Sequence, residues 1–507
     1  MRIRANDGGP HKDKVAACQS QIRRFFGRQS RTRGSRRRRY KYRRVDSQPA
    51  HPHFGQEHAR CVLFIHPAFP AQFGLDRPLP GHRRGWPTTF LTAVDTTQLS
   101  LSFNHLNYRL VDHAPQPKVF TNPESLQEML DHLAAIYRGM RGVPQIQPDL
   151  VVGHMSYGTM LYLRNLYPCH FVGYFDYLPP PFWTDAVVLR KEFPPPEGVR
   201  LFNATYHAMT HLHLHACDAA YTSTEYQLST CPPEWQHKLR VIRDGVDCQL
   251  FQPRPRPTRF RGRTIDPDTR VVSFTSRGLE AARGFDVFMR VAKRIAAQHK
   301  NVLFVVAGGE RTLHGHEGLH LGAQSFKQWV LQQDEYDLSR FLFVDFPPVN
   351  ELAELFNLTD LHLSLSVPHL APSTLLPAMA SGCPLVASRT AAIAEHVDDG
   401  THAVLHAFAD EDALTETAVA LLADRERARA LGEAARQRVL ERHELTACLE
   451  AHAKFFDSFP RPVSRRCGVH RTRRVSGEER GHDGHGFAAI TGGRLCHSMR
   501  YRLPRML

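Results

Sequence analysis

The chain has 507 residues, a formal net charge of +15 and 42% hydrophobic residues, enough for two or three domains with substantial cores. The net charge is typical of a nucleic-acid binder, but its distribution argues against that function. Residues 1–60 carry +13 and residues 461–507 carry +8, which leaves −6 for residues 61–460. The part expected to fold is therefore mildly acidic, and no specific nucleic-acid partner is expected.

Both ends of the chain, residues 1–60 and 457–507, are predicted to be disordered basic tails. The stretch RQSRTRGSRRRRYKYRR (28–44) is too charged and too poor in aliphatic residues to be buried. Such runs are usually solvated, or reflect a start codon assigned too far upstream. The alternatives are an anchor to RNA or an anionic membrane, or an Arg-rich transit segment. A weak contact with anionic membranes is the membrane role that the tails allow.

The distribution of apolar residues and the spacing of the cysteines predict a cytoplasmic protein. The sequence contains no run of 18 apolar residues and no apolar signal-peptide core. Its ten cysteines are scattered without a Cys-x-x-Cys pair, which disfavours a zinc knuckle, a redox pair and a disulfide framework.

In the first half of the folded part, buried strands end in turns that carry polar residues. Strands are predicted in CVLFIHPAF (61–69), PDLVVGHMSYG (148–158), HFVGYFDY (170–177) and KLRVIRDGVD (238–247), with a helix over 200–216. Residues 248–270 are rich in Pro and Arg and have no apolar period, which predicts a linker.

After this segment, strands alternate with helices as far as a long helical region. Predicted strands are RVVSFTS, VLFVVAGG, RFLFVDF, DLHLSLSV and PLVAS, separated by helices such as GFDVFMRVAKRIAAQH. This alternation predicts parallel sheets built from βαβ units. We therefore expect an α/β chain with two doubly wound, Rossmann-like domains, residues 61–247 and 271–456, that face a cleft. Ligands in such sheets bind beyond the carboxyl ends of the strands.

Arg277 and Arg283 lie in the loop SRGLEAARG, between a predicted strand and a helix. Two guanidinium groups at this place suit a diphosphate, since each offers forked donors to phosphate oxygens. The alternative from spacing alone is a pair of surface arginines.

Several segments resemble one branch of the family 4 glycosyltransferases, which have the GT-B fold. They include VLFIHPAFPAQF, GHMSYG, SRGLEAARGFDVFMR, SFKQWVL and LLPAMASGCPLVASRTAAIAEHVDDG, in the same order over roughly residues 61–456. The resemblance implies that the first domain binds the acceptor and the second a nucleotide-sugar donor. It also implies a hexosyltransferase-type reaction with retention at the anomeric carbon, and neither a metal nor another cofactor.

The resemblance also assigns roles to individual residues. His154, Arg277 and Arg283 are the expected catalytic residues, because they match the histidine near the transferred sugar and the basic pair on the diphosphate. Donor binding is expected of Arg277, Arg283, Thr374, Leu375 and Leu376. Substrate binding is expected of His66, Pro70, Gln72, Gly158 and Lys327.

The sequence departs from the family pattern at the donor side. The family has a glutamate for the donor ribose hydroxyls where this chain has Pro377, and the wider family has another where this chain has His369. Proline is tolerated in a first helical turn, so the helix itself is expected to persist. Two smaller departures are Ala71 for a glycine and Thr159 for an acid. The site is interpreted as an altered donor site.

Other candidate motifs have simpler structural interpretations. His207, His211 and His215 recur at four-residue steps and could bind metal, but no acid or cysteine completes a set. The acids at 410–412 are interpreted as a helix cap. The aromatic residues around LPPPFW (Tyr174, Phe175, Tyr177 and Trp183) either stack on a sugar or pack the core.

The sequence therefore predicts a metal-independent glycosyltransferase that uses a nucleotide sugar and a carbohydrate or glycosylated acceptor. The alternative is a catalytically silent GT-B-like binding protein whose basic tails dock on RNA or an anionic membrane; Pro377 and Thr159 favour it. A nucleotide-sugar epimerase fits the motifs less well.

Overall fold

The computed structural model describes residues 60–69, 84–94, 96, 103–108, 126–157, 159–179, 189–195 and 197–461, without the side chains of 126–128 and 197–202. Both predicted basic tails, apart from Arg60 and residues 457–461, lie outside these residues. No helix in the described ranges is long and apolar enough to cross a membrane.

The first domain is built on a seven-stranded parallel sheet in the order β3-β2-β1-β4-β5-β6-β7. Its strands are β1 (Val62–Ile65), β2 (Thr88–Thr92), β3 (Asn104–Asn107), β4 (Leu150–His154), β5 (His170–Tyr174), β6 (Ala219–Thr222) and β7 (Leu239–Val241). Its helices are α1 (Leu126–Arg141), α2 (Glu197–Ala216), α3 (Glu225–Thr230) and α4 (Pro233–Gln236), with 3-10 turns at Met155–Tyr157 and Leu161–Asn165.

The second domain has a six-stranded parallel sheet in the order β12-β11-β10-β13-β14-β15, and a separate hairpin of β8 and β9. Its strands are β8 (Arg259–Phe260), β9 (Arg263–Thr264), β10 (Arg270–Gly278), β11 (Val302–Gly309), β12 (Phe341–Val344), β13 (Leu361–Ser364), β14 (Leu385–Ser388) and β15 (Val404–His406). The helices are α5 (Phe285–Gln298), α6 (Phe326–Gln333), α7 (Val349–Leu358), α8 (Leu375–Ala380), α9 (Ala391–Ala394), α10 (Glu411–Ala423), α11 (Arg425–Arg442) and α12 (Leu445–Asp457), with 3-10 turns at Ala281–Arg283, Glu317–Leu319 and Leu338–Arg340.

The predicted fold class is confirmed, because both sheets are parallel and their strands alternate with helices. Central strands such as β1, β4 and β11 are almost entirely buried, as expected for parallel strands covered on both faces. The long predicted helical region is divided at Asp424, whose side chain accepts a hydrogen bond from Arg427 N and caps α11.

The segment 248–270, predicted as a linker, packs onto the second domain. Phe251, Phe260 and Ile265 are buried in one of that domain's core clusters, between α7 and α11 residues. Sparse aromatic residues among Pro and Arg gave no periodic signal for this packing. The segment therefore contributes to the second core.

Helix α12 packs on the first domain, although the sequence-based boundary at 456 groups it with the second. Phe456 is fully buried, with its ring centroid 6.1 Å from that of Phe64 in β1 and 5.7 Å from that of Tyr221 in β6. Its ring fills the first core together with Ala453 and Phe455. The chain thus crosses back after α11, and the end of the described chain completes the first domain.

Residues 189–195 lie within the sequence range of the first domain, but Arg190 and Phe193 pack against the second domain. Arg190 and Asp286 form a buried bidentate ion pair with N–O distances of 3.0 and 3.1 Å. Phe193 packs against Phe326 and Trp329 of α6, with centroid distances of 5.7 and 5.3 Å. These contacts and α12 join the two domains.

We expect Phe456→Ala to destabilise the protein by about 3–5 kcal/mol, because it removes a fully buried ring and leaves a cavity in the first core. Leu440→Ala in α11 is the control, since Leu440 is 37% exposed and its loss should cost less than about 1 kcal/mol. Thermal and denaturant unfolding of both variants checks this. Equal midpoints for the two variants would contradict the placement of α12.

Candidate functional site

Two histidines stand at the carboxyl edge of the first sheet. His66 follows β1 and His154 ends β4, and these strands are paired neighbours, so the ring centroids lie 5.0 Å apart. Burial lowers the pKa of His66 to about 3 and holds the pKa of His154 well below its ordinary value. Both imidazoles are therefore neutral at physiological pH.

The backbone fixes the tautomer of His154. Its Nδ1 accepts a hydrogen bond from Ser156 N at 3.2 Å, so the proton of the neutral ring is on Nε2. The ring of Tyr157 lies beside both histidines, with its centroid 4.9 Å from each of theirs.

Asp176, which sequence reasoning did not select, follows β5 beside this pair. Its Oδ2 is 4.0 Å from His154 Nε2, and its main-chain oxygen accepts a bond from Gln227 Nε2 at 2.7 Å. Burial and the like charge of Asp244 raise the pKa of Asp176 to about 6, while Arg277 opposes the shift. An acid placed directly after a buried strand, in HFVGYFDY, was the available sequence signal.

The two predicted arginines come together at the carboxyl edge of the second sheet, at the end of β10. Arg277 is exposed, whereas Arg283 is 7% exposed and donates from Nη1 to Ser366 Oγ (2.9 Å) and to the Leu370 carbonyl oxygen (2.8 Å). Burial lowers the pKa of Arg283 to about 10, with Glu280 opposing, so the side chain keeps its charge. Arg277 also acts electrostatically on Asp176, which places the two groups near each other across the cleft.

Two buried carboxylates hold the loop beside these arginines. Glu280 Oε2 accepts bonds from Leu313 N (2.5 Å) and His314 N (2.7 Å). Glu317 Oε1 accepts bonds from Ala281 N (3.1 Å) and Thr312 Oγ1 (3.0 Å). Burial raises the pKa of both acids, and their mutual repulsion adds to the pKa of Glu317. They fix the loop between β11 and α6 against the turn that carries Arg283.

His369 lies where the second domain meets the first. Its ring is 4.8 Å, centroid to centroid, from Tyr177 of the first domain and 4.8 Å from His314. Burial and the charges of Arg283 and Arg277 lower the pKa of His369 to about 3. His369 is therefore a neutral imidazole that interacts with the arginine pair.

Helix α8 runs through Pro377 unbroken, as the sequence analysis expected, with the proline at its third position. Ser381 N donates to the Pro377 carbonyl oxygen at 3.0 Å, and the proline ring is buried. Thr374 is also buried, and its hydroxyl donates to the carbonyl of Thr275 at the end of β10 (3.3 Å). Leu375 packs in the core, and Leu376 is only partly buried. Contact of these residues with a donor stays a prediction.

The remaining predicted substrate residues divide into two groups. Lys327 bonds to Glu310 at 2.9 Å and lies 4.7 Å from the Phe343 ring centroid, so its charge is already engaged. Pro70, Gln72 and Gly158 lie outside the described residues, as do Ala71 and Trp183.

The structural interpretations of other motifs hold where the structure describes them. Asp410 caps α10 by accepting a bond from Ala413 N at 3.1 Å. His211 accepts a bond from Trp235 Nε1 at 3.0 Å, and His207 contacts the Pro179 carbonyl oxygen. In the described residues, no group of three or more His, Cys, Asp or Glu is arranged to hold a metal ion.

The fold and the site define an α/β protein of two facing Rossmann-like domains. A cationic pair lies on one side of the site, and a neutral imidazole N–H and a carboxylate lie on the other. Two family models match this chain side by side: Glycosyl transferase family 4 group over residues 84–251 and Glycosyl transferases group 1 over residues 256–438. The chain therefore belongs to the family 4 glycosyltransferases, which makes it a glycosyltransferase.

Solved structures agree on the GT-B fold. Sucrose-phosphate synthase from Thermosynechococcus elongatus superposes with a TM-score of 0.61 at 16% identity, covering 78% of this chain and 98% of that one. HepE from Anabaena in complex with UDP and glucose has a TM-score of 0.55 at 13% identity, covering 79% and 100%. A glycosyltransferase from Rickettsia africae has a TM-score of 0.52 at 12% identity, covering 79% and 98%. No curated protein sequence matches this chain.

We expect Glu280→Ala to loosen the loop at 313–315, because two buried N–H groups lose their acceptor at about 1–3 kcal/mol each. Hydrogen exchange of these amides should accelerate. Glu310→Ala is the matched control, since Glu310 is 41% exposed and bonds only to side chains in the described contacts. Equal protection in both variants would contradict the loop-holding role.

Proposed function

We propose that the protein is a retaining, metal-independent glycosyltransferase of the hexosyltransferase type that moves a sugar from a nucleotide-sugar donor to a carbohydrate or glycosylated acceptor. The observation that carries this proposal is the placement of Arg277 and Arg283. Both lie at the carboxyl edge of the second sheet, and Arg277 acts electrostatically on Asp176 of the first domain, whose Oδ2 is 4.0 Å from His154 Nε2.

The donor diphosphate is assigned to this arginine pair. Breaking the bond between sugar and diphosphate leaves negative charge on the departing phosphate, and fixed cations stabilise that charge best when they need no reorganisation. Arg283 is held by Ser366 and Leu370 before any ligand binds. The fixed Arg283 and the exposed Arg277 together supply the charge that a metal ion supplies elsewhere, and the proposal therefore includes no metal.

The acceptor is assigned to the first domain, where His66, His154 and Asp176 share one edge of the sheet. The neutral Nε2–H of His154 can donate a hydrogen bond to the oxygen of a sugar hydroxyl. HepE, a fold neighbour, was solved with UDP-glucose, which makes UDP-sugars the first donors to test.

The proposed location is the cytoplasm. Buried Cys169, Cys217 and Cys383 are free thiols, which fits a reducing compartment.

A thermal-shift screen of nucleotide sugars on the full chain tests the donor assignment, since a ligand that binds only the native state raises the melting temperature. The absence of any shift would contradict it.

We expect Arg277→Ala to weaken UDP binding by roughly ten- to a hundredfold, the equivalent of about 1.4–2.7 kcal/mol. Uridine binding should change little, because the nucleoside has no phosphate for the guanidinium to contact. Isothermal calorimetry with both ligands measures this. Arg429→Ala, at a side chain 81% exposed in α11, is the control and should leave both affinities unchanged. Equal losses of affinity for UDP and uridine would contradict a role of Arg277 in binding the diphosphate.

Pro377→Glu tests whether α8 faces the donor ribose. If it does, a restored carboxylate accepts the two ribose hydroxyls and should raise UDP affinity about ten- to a hundredfold, a net of about 1–3 kcal/mol after ordering and desolvation. Deoxy-UDP should gain little, because it lacks one hydroxyl. In the unliganded protein the variant should be less stable, since Pro377 is buried and the new charge would be desolvated. Equal gains for both nucleotides would show that this position does not face a ribose.

A further inference from the structure

The proposed function gives Asp176 no chemical step. Its side chain is 23% exposed, its Oδ2 is 4.0 Å from His154 Nε2, and Arg277 acts on it electrostatically. Parallel pairing sets this position, because β5 is hydrogen-bonded to β4 with Tyr174 opposite His154. The two side chains therefore leave the same edge of the sheet.

The distance between Asp176 and His154 suits one bridging hydroxyl. Because Nδ1 of His154 accepts from Ser156 N, Nε2 carries the proton and is 4.0 Å from Asp176 Oδ2. A hydroxyl oxygen about 2.8 Å from both atoms would form an angle of about 90° with them. Such a hydroxyl accepts a hydrogen bond from Nε2–H and donates its own proton to the carboxylate. His154 and Asp176 are thus spaced to bind a substrate alcohol and to remove its proton.

The groups that face Asp176 decide its charge. Tyr174 donates its hydroxyl at 3.4 Å, and Gln227 Nε2 lies 3.4 Å from Oδ1. Tyr157 and Tyr206 also interact with the carboxylate, Asp244 repels it, and Arg277 attracts it. Burial and Asp244 raise the pKa to about 6, so the ion predominates at pH 7 although its charge costs stability. A carboxylate that stays ionised in a cleft at a cost in stability is typical of a functional residue.

Donor binding should change the proton affinity of Asp176. Arg277 is the cation that lowers its pKa. A diphosphate bound to Arg277 would offset that attraction, so the pKa of Asp176 should rise towards neutrality, the range in which a carboxylate is an efficient base.

We propose that Asp176 is a catalytic residue that takes the proton of the acceptor hydroxyl. This inference rests on the proposed function. In the step, the acceptor oxygen approaches the anomeric carbon from the face that the diphosphate leaves, as retention requires, and it forms its bond to that carbon as the bond to the diphosphate oxygen breaks. The diphosphate leaves with the electron pair, and the acceptor's proton moves to Asp176 Oδ2. His154 Nε2–H keeps the attacking oxygen beside the carboxylate.

Calorimetry with UDP tests the coupling without an acceptor. At pH about 6.5, binding heats in two buffers of different ionisation enthalpy give the number of protons exchanged. The wild type should take up part of a proton, and Asp176→Asn should take up markedly less while binding UDP within a few-fold of wild type. UDP binding with equal proton exchange in both proteins would overturn the inference and leave the proposed function standing. Failure of UDP, GDP and ADP all to bind would contradict the proposed function, and the inference with it.

The pH profile of UDP-glucose hydrolysis, with water as acceptor, tests the chemical role. Asp176→Asn should lower kcat by about 10²–10⁴-fold with KM within a few-fold, and it should remove the loss of kcat/KM below pH about 6, which reports the free enzyme. Asp176→Glu should recover part of the rate. Asp244→Asn should keep kcat and move the acidic limb to lower pH, because one repelling charge is gone. An unchanged rate in Asp176→Asn, with folding verified by its melting temperature, would show that the leaving phosphate itself takes the proton.

Discussion

Parallel strand pairing is the constraint on which the site depends. In each of the two large sheets all strands run the same way, so every carboxyl end falls on one edge and the polar residues after the strands meet there. In the first sheet β1, β4 and β5 are neighbours, which brings His66, His154 and Asp176 together. In the second sheet β10 and β13 are neighbours, which brings Arg283 to Ser366. Residues far apart in sequence are thus adjacent because of strand order alone.

Buried acids fix the cations of the second domain. Glu280 and Glu317 are fully buried. Glu280 accepts three hydrogen bonds from the loop after β11, and Glu317 accepts one from the turn after β10 and one from that loop. Burial alone would make such carboxylates unfavourable, and the raised pKa values show the cost. Arg283 offsets part of it for Glu280, and Glu280 in turn keeps Arg283 charged. The acids therefore hold the arginine turn in place, while exposed Arg277 stays available for a ligand.

Part of this structure could be predicted from the sequence. The alternation of buried strands with helices predicted both parallel sheets, and the resemblance to the family led us to expect His154, Arg277 and Arg283 in one site, which stays a prediction. The domain that α12 joins could not be predicted, because an amphipathic period shows which face is buried but not what covers it. Asp176 was missed for a similar reason: its raised pKa comes from burial and from the charge of Asp244, against the opposing charge of Arg277, and both charged residues are distant in sequence. Local patterns cannot show charges that meet only through folding.

The acid that interacts with Arg277 belongs to the other domain. His369 and Pro377 carry no carboxylate, and the carboxylates of Glu280 and Glu317 already accept backbone hydrogen bonds. The carboxylate that faces Arg277 is instead Asp176 of the first domain. Cation and anion therefore meet only when the two domains are held together. Several contacts among the described residues hold the domains together. They include the Arg190–Asp286 ion pair, the packing of α12, and the carboxylate of Glu395, which accepts hydrogen bonds from Glu225 N and Tyr226 N at 2.8 Å. The chemistry of the site is thus a property of the interface between the domains, since Arg277 and Asp176 belong to different domains.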